Sequence, residues 1–399
     1  MVSESGDAHS TIDNDTAAAD AHPVDFERRV YCLIGLPIDA VSRRETIDAI
    51  GHAVRTRRPL FFSTPNLNFL VSSRTDAAFR DSILHSDLAV ADGMPLLWLA
   101  RLLDIPIVER VAGSDVFEAL LRGEGGPLSV YFFGGPPGVA QRACNAVSGR
   151  ATSMRCAGWS SPGFGTIEEL STPADLAPIF HARPDFLVVS LGGRKGQAWI
   201  EHNRRRLAVP VISHLGAVVN FVAGTIVRAP VAFQKTGLEW LWRIKEEPTL
   251  WKRYLNDGIG LMRLLVGHAL PLALDAARHK RSGPHKPATL RFDPATSTLC
   301  PDGMWRQTSL APLRTALREV TRQDGSVILD LRGLLGIDSA VLGLLLLLHG
   351  HQSNRGLALT VYGPPKRVAR TMVRHGAGYL LEGLPAVDTP SSTARSGDS

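Results

Sequence analysis

Cysteine is scarce in this chain of 399 residues, with four in all. Cys32, Cys144, Cys156 and Cys300 lie far apart and form no C-x-x-C pair. Such spacing points to neither a zinc site nor a disulfide framework, so four reduced thiols are expected. A secretory leader is also lacking. The opening MVSESGDAHSTIDNDTAAAD is acidic and polar, without a basic start or an apolar stretch. No apolar run reaches the ~20 residues of a membrane span. The nearest, from Ile259 to Leu274, is interrupted by Arg263, His268 and Pro271, so membrane contact is expected to be peripheral. Beyond the N-terminal tail there is no D-x-D pair, no His-rich cluster stands out, and no internal repeat occurs. No required metal and no cofactor are expected. Acidic excess is missing too: 44 Lys and Arg face 38 Asp and Glu, a net charge of +6. That excess fits a phosphate-rich partner such as a nucleotide-sugar, an anionic membrane or a nucleic acid.

What is present is enough apolar material for a packed core: 44% hydrophobic residues against 21% charged. The length suits two domains, or one with a large appendage. Residues 1–25 read as a disordered tail. From Tyr31 to about Phe221, short apolar runs alternate with helix-period segments. The runs PLFFS (59–63), LSVYFFGG (128–135), DFLVVSLGG (185–193) and VPVISHLGA (209–217) look like strands buried on both faces. That pattern means a parallel sheet covered by helices. From about 226 to 277 the chain turns basic and aromatic, a helical appendage carrying Trp240, Trp242 and Trp251 among Arg228, Lys235, Arg243, Lys245, Lys252, Arg253 and Arg263. Residues 278–287 have linker composition. A small α/β domain follows over 288–385. Strands are expected at 288–292, 326–331 and 357–362, and helices at 310–321, 339–352 and 366–375. Residues 386–399 read as a second tail.

Ligands of open α/β sheets bind beyond the carboxyl ends of the strands. The polar residues there are Thr64 and Asn66, then Asp92 and Gly93, then Gly134, Gly135 and Gly138, then Gly192, Gly193, Arg194 and Lys195. The stretch FFGGPPGVAQRA is a strand, a glycine turn and a helix start. It can bring backbone N–H groups to a phosphate, or simply pack a strand on a helix. Asp92 could take a proton from an attacking hydroxyl. On the residues alone, capping the helix that begins near Met94 is the favoured role.

Taken together, these stretches resemble a family. T-P-N-L-N-F (64–69), S-D-L-A-V-A-D-G-M-P (86–95), E-R-V-A-G-S-D (109–115), F-F-G-G-P-P-G-V-A (132–140), G-W-S-S-P-G-F (158–164), V-V-N-F-V-A-G-T-I-V-R-A-P (218–230) and G-L-E-W-L-W-R-I-K-E-E-P (237–248) stand in order across more than half the chain. Residues 31–254 thus resemble the WecG/TagA/CpsF family of bacterial glycosyltransferases. The resemblance implies a Rossmann-like core and an inverting transfer of a hexose or N-acetylhexosamine, such as N-acetylmannosamine, from a UDP-sugar. The acceptor it implies is a sugar on a polyprenyl diphosphate, for cell-surface polysaccharide. It carries the base onto Asp92 and active-site lining onto Thr64 and Asn66. Gly93, Arg110, the glycines at 134, 135, 138 and 192, Lys195, Gln197 and Glu239 are the further candidates for substrate binding. The family's appendage is thought to grip diphosphate and face the membrane. Without a metal, arginines and amides must stabilise the leaving UDP, and Arg228, Arg243 and Arg253 are the candidates. Lys235 and Lys245 are read as solvated charges. The expected location is the cytoplasmic face of the cell membrane.

One stretch departs. Where the family usually has G-x-P-K-Q-E-x-W, this chain reads G-G-R-K-G-Q-A-W (192–199). The family's active-site Gln falls on Gly196, unless a one-residue slip lets Gln197 replace it.

The C-terminal segment V-I-L-D-L-R-G-L-L-G-I-D-S-A-V-L-G-L-L-L-L-L (327–348), followed by R-G-L-A-L-T-V-Y-G (355–363), resembles the STAS domain. Phosphorylation of the Ser at this helix start in signalling members would carry onto Ser339, where two added charges would change a binding surface. A helix cap is the favoured role for Ser339. Leu344–Leu348 reads as core. The domain is expected to regulate or dock the enzyme, with a protein partner as one means of doing so. The alternative function is a degenerate scaffold that binds UDP-sugar and signals through its STAS domain. Binding of nucleic acid is disfavoured, because the positive charge lies beside tryptophans and apolar helix.

Overall fold

The computed structural model describes residues 23–150, 152–227, 229–230, 233, 237–279, 286–323 and 325–382. Arg228, Lys235, most of the expected linker, most of the first expected tail and all of the second lie outside them. The chain opens with an antiparallel hairpin, β1 (Val30–Leu33) and β2 (Leu36–Asp39). Its two-residue turn places Ile34 at φ 47° and Gly35 at φ 89°, the backbone of a tight hairpin turn. Helix α1 (Arg43–Thr56) starts on a capping box in which Ser42 and Glu45 satisfy each other's backbone N–H.

The large sheet has six parallel strands: β3 (Leu60–Ser63), β4 (Leu88–Ala89), β5 (Leu128–Gly134), β6 (Met154–Ser160), β7 (Phe186–Ser190) and β8 (Val211–His214), in the order β4-β3-β8-β7-β5-β6. Its helices are α2 (Leu67–Ser72), α3 (Ala77–Leu84), α4 (Met94–Leu102), α5 (Gly113–Leu121), α6 (Val139–Ser148), α7 (Pro173–Ala182), α8 (Gly193–Asn203) and α9 (Gly216–Val222). All of β5 is buried, as strands covered on both faces require. One apolar cluster gathers around Phe62, Phe117, Phe132 and Val188, another around Phe133, Leu187 and Trp199. The expectation of an α/β, Rossmann-like parallel sheet holds.

Cys144 of α6 and Cys156 of β6 form a disulfide, which corrects the expectation of four reduced thiols. Over a separation of 12 positions, through helix end, turn and strand, the chain returns until the two Cα atoms lie 5.4 Å apart. Spacing along the sequence does not reveal that return. Cys32 and Cys300 are free.

The appendage is helical: α10 (Glu239–Glu246), a 3-10 turn Pro248–Leu250, α11 (Trp251–Leu264), a π-helical segment Leu265–Ala269 and α12 (Leu270–His279). Residues 248–278 run on as one helix, long and apolar enough by length and composition to cross a membrane. The apolar run was expected to be too interrupted for that. The wider π turn just ahead of Pro271 accommodates a residue that offers no N–H and crowds the preceding turn.

The STAS-like part holds β9 (Thr289–Asp293), β10 (Thr298–Met304), α13 (Leu310–Arg322), β11 (Val327–Asp330), β12 (Leu334–Gly336), α14 (Ser339–Asn354), β13 (Leu359–Tyr362) and α15 (Lys366–Arg374). Its sheet runs β12-β10-β11-β13, with β9 antiparallel to β10. Strand β10 was not anticipated, because Pro301 and Gly303 are residues that usually argue against a strand. This part packs directly on the glycosyltransferase-like part. Helix α14 is buried from Ala340 to Leu348, between its own sheet and the β1–β2 hairpin. One continuous core therefore joins Tyr31, Leu33, Phe69 and Phe79 to Leu344, Leu346 and Met372. Polar clasps line the same contact. The Tyr379 hydroxyl donates to the Gly35 carbonyl at 2.8 Å and Arg74 to the Gly376 carbonyl at 2.9 Å. Arg374 pairs with Asp275 of α12.

Candidate functional site

Every strand of the parallel sheet delivers its following loop to one edge, and the candidate residues gather there. Thr64 is buried beyond β3, its methyl 3.3 Å from where a side chain at Gly113 would begin. Asn66 caps α2, its Oδ1 accepting from the Phe69 N–H at 3.3 Å. Asp92 follows β4. It does not cap α4, which corrects the reading made from the residues alone. Gly93 holds the cap position and no side chain bonds there.

What surrounds Asp92 is an ionic cluster. Burial pushes its carboxyl up to about 7. Arg110 opposes that rise, Glu239 and Asp115 reinforce it, and a hydrogen bond from the Gly113 N–H opposes it. Arg110 donates to Glu239 at 2.9 Å and to Asp115 at 3.0 Å. Because Glu239 opens α10, this fork pins the appendage to the catalytic edge. A carboxyl poised near 7 is half ionised at neutral pH, the condition suited to a general base.

The appendage contributes a second layer. Arg243 lies 5.1 Å above the Phe221 ring, and Arg253 pairs with Asp257 at 3.8 Å. Both lower the pKa of the half-buried Tyr254 against a dominant rise from burial. Asp257 accepts from Asn68 of α2 at 2.9 Å, and Gly260 packs against Val71, so α11 rides on the helix that Asn66 caps.

The glycines lie at β5 and β7. Gly134, Gly135 and Gly138 all take positive φ and carry the turn into α6, with Gly138 at its cap. Gly192 caps α8 and faces open space. Lys195 turns away to the Gly165 carbonyl of the 161–165 loop, beside the fully exposed Phe164. Gln197 points inward. It is buried and donates to Ser63 Oγ at 3.0 Å, which in turn meets Ser86 Oγ at 2.7 Å. Gln197 thus reaches the carboxyl end of β3, where its Oε1 is buried without a hydrogen-bond partner.

Ser339 does not cap α14. Asp338 does, accepting from the N–H groups of Ala340 and Val341 and also from Gln307. That corrects the favoured role for Ser339.

Three residues at this edge escaped the sequence reading: Asp115, Ser190 and His214. Ser190 and His214 end β7 and β8 inside quoted apolar runs, and their position at a strand end was the available signal.

The fold and the edge define a class. The Glycosyl transferase WecG/TagA/CpsF family profile matches residues 31–273, and a Mlab-type STAS domain profile matches 288–382. The chain belongs to the WecG/TagA/CpsF glycosyltransferase family, with a STAS domain fused behind it. Among its relatives is the N-acetylglucosaminyldiphosphoundecaprenol N-acetyl-beta-D-mannosaminyltransferase of Bacillus subtilis (strain 168). The two are 27% identical over 207 residues, which cover 51% of this chain and 78% of the relative. The protein of the same name from Staphylococcus aureus (strain MW2) is 24% identical over 224 residues, covering 55% of this chain and 85% of the relative.

Proposed function

We propose that this glycosyltransferase moves a hexose or N-acetylhexosamine from a UDP-sugar, with inversion, to a sugar carried on a polyprenyl diphosphate, in the making of cell-surface polysaccharide. The observation that carries the reading is Asp92, held near neutrality beside the Arg110 fork. In this scheme Asp92 takes the proton of the acceptor hydroxyl as its oxygen attacks the anomeric carbon. The UDP leaves from the opposite face, so the centre inverts. Arg243, Arg253 and the amides of the glycine turn at 134–138 supply charge and hydrogen bonds to the departing diphosphate. N-acetylmannosamine is the first donor sugar to try, since the relatives' name specifies that group. The test is UDP release by the full chain, offered UDP-N-acetylmannosamine, UDP-N-acetylglucosamine and UDP-glucose with a polyprenyl-diphosphate-linked N-acetylglucosamine. Release needing both substrates is expected. UDP binding without release, for every pair, would move the reading to a scaffold.

The acceptor's lipid calls for contact with the inner face of the cell membrane. The 248–278 helix supports it. Trp251, Leu255, Met262, Val266, Leu270 and Leu274 stand exposed along one side, while Asp257, Gly260, Leu264 and Ala269 of the other side pack on the protein. A helix with one face committed to the core lies in the membrane interface rather than across it. Basic Lys252 and Arg263, both exposed, accompany the stripe and favour anionic lipid. Leu255→Glu, Met262→Glu and Val266→Glu together are expected to abolish sedimentation with anionic vesicles. The melting temperature should be retained, because all three side chains are more than half exposed. Undiminished sedimentation would sink the membrane reading. The STAS domain serves here as a docked structural partner of the catalytic part, since its central helix is covered by the β1–β2 hairpin.

A further inference from the structure

His214 sits at the carboxyl end of β8, between the helix starts of α8 and α9. Its ring fills the space above Gly196. A side chain beginning at Gly196 would place its first carbon 2.1 Å from the ring's Cδ2, an impossible distance. The ring therefore depends on glycine at 196. Gly216, the first residue of α9, adjoins it on the other side: a carbon built there would lie 3.3 Å from Nε2 and 3.5 Å from Ser190 Oγ. A carbon built on Gly135 would likewise lie 3.5 Å from Ser190 Oγ. Two polar side chains and three glycines thus converge on one small region. Within it, Nε2 of His214 is enclosed and has no hydrogen-bond partner from the protein.

Leaving a buried polar nitrogen unpaired costs free energy, which a ligand supplying an acceptor recovers. Burial also pushes the imidazole down to about 4. At neutral pH the ring is therefore uncharged and carries one N–H, and an acceptor brought to Nε2 selects the tautomer with the proton there. The glycine turn into α6 opens on the same region, where backbone N–H groups favour phosphate oxygens.

We propose that His214 is a substrate-binding residue whose Nε2–H, with the Ser190 hydroxyl, donates to a diphosphate oxygen of the bound nucleotide-sugar. The proposal rests on the UDP-sugar reading of the site. It gives the exchange at 194–198 a physical meaning. Losing a side chain at 196 makes room for a hydrogen-bonding ring arriving from the next strand.

The test titrates the full-length protein with UDP, comparing His214→Gln and His214→Met, which match in size but differ in having an N–H. The Gln variant is expected to bind UDP at least about tenfold more tightly than the Met variant, the range of a hydrogen bond to a charged group. Gly196→Ala leaves His214 in the sequence but displaces its ring, and should weaken UDP binding as much as His214→Met. The double variant should then be no weaker than either single one. Equal binding by the Gln and Met variants, in a protein whose wild type binds UDP, overturns the role of His214 alone. A wild type that binds no UDP overturns the donor reading with it.

Discussion

Asp92→Asn is expected to lower sugar transfer by about 10²–10⁴-fold, the usual worth of a positioned general base. The amide keeps the size of the side chain but cannot accept a proton in the transition state. UDP binding should be little changed, because Asp92 is assigned to the acceptor hydroxyl. The wild-type pH profile should report the same group. With the carboxyl near 7, kcat/KM is expected to rise as pH increases through about 7 and then level off, since only the ionised form accepts the proton. Stability should move the other way. A carboxyl whose folded pKa is raised stabilises the fold while protonated, and that contribution is lost as pH rises through about 7. Asp92→Asn has no ionisation to suppress, so its melting temperature at pH 8 should equal or exceed that of the wild type. Unchanged turnover in this variant, or a rate that falls as pH rises through 7, would remove Asp92 as the base.

The second large effect lies far from the chemistry. Gly343→Leu is expected to destabilise the whole chain, catalytic part included, by about 3 kcal/mol or more. A side chain at Gly343 would begin 2.7 Å from the Val30 carbonyl oxygen and 3.0 Å from the Tyr31 Cα. These are backbone atoms of the hairpin and cannot rotate aside. Gly350, seven residues on along the same face of α14, would meet the Leu84 carbonyl at 2.7 Å. The two glycines let a helix approach two catalytic-part elements at backbone distance. Tyr31, Leu33 and Phe79 share a single core with Leu344 and Leu346, so heating should unfold everything in one transition. The variant should lower that transition by about 4 °C or more. Two resolved transitions, with the catalytic one unmoved, would show that the STAS domain is a separable module.

These effects were legible in the sequence to different degrees. The alternation of double-buried runs and helix-period segments announced the parallel sheet, because each strand's burial pattern is written within its own few residues. The D-G and T-x-N motifs were legible as strand-end residues for the same reason. Residues just after an apolar run are at the carboxyl end of a strand wherever that strand lies. Ser339 shows the limit of this local reading. Asp338 and Ser339 are both good capping residues, and the backbone path at the helix start chose Asp338.

The amino-acid sequence alone determined the fold class, the family, the order of the two parts and the strand ends that carry Thr64, Asn66 and Asp92. Tertiary structure decided the rest. It brought Glu239 to Arg110 across 129 positions and joined Cys144 to Cys156. It turned Gln197 into the interior while His214 took the space beside Gly196, and it buried α14 against the hairpin. Periodicity and capping are properties of neighbours along the chain. Burial, pKa and the occupancy of a glycine's empty side depend on which distant segments the fold brings alongside.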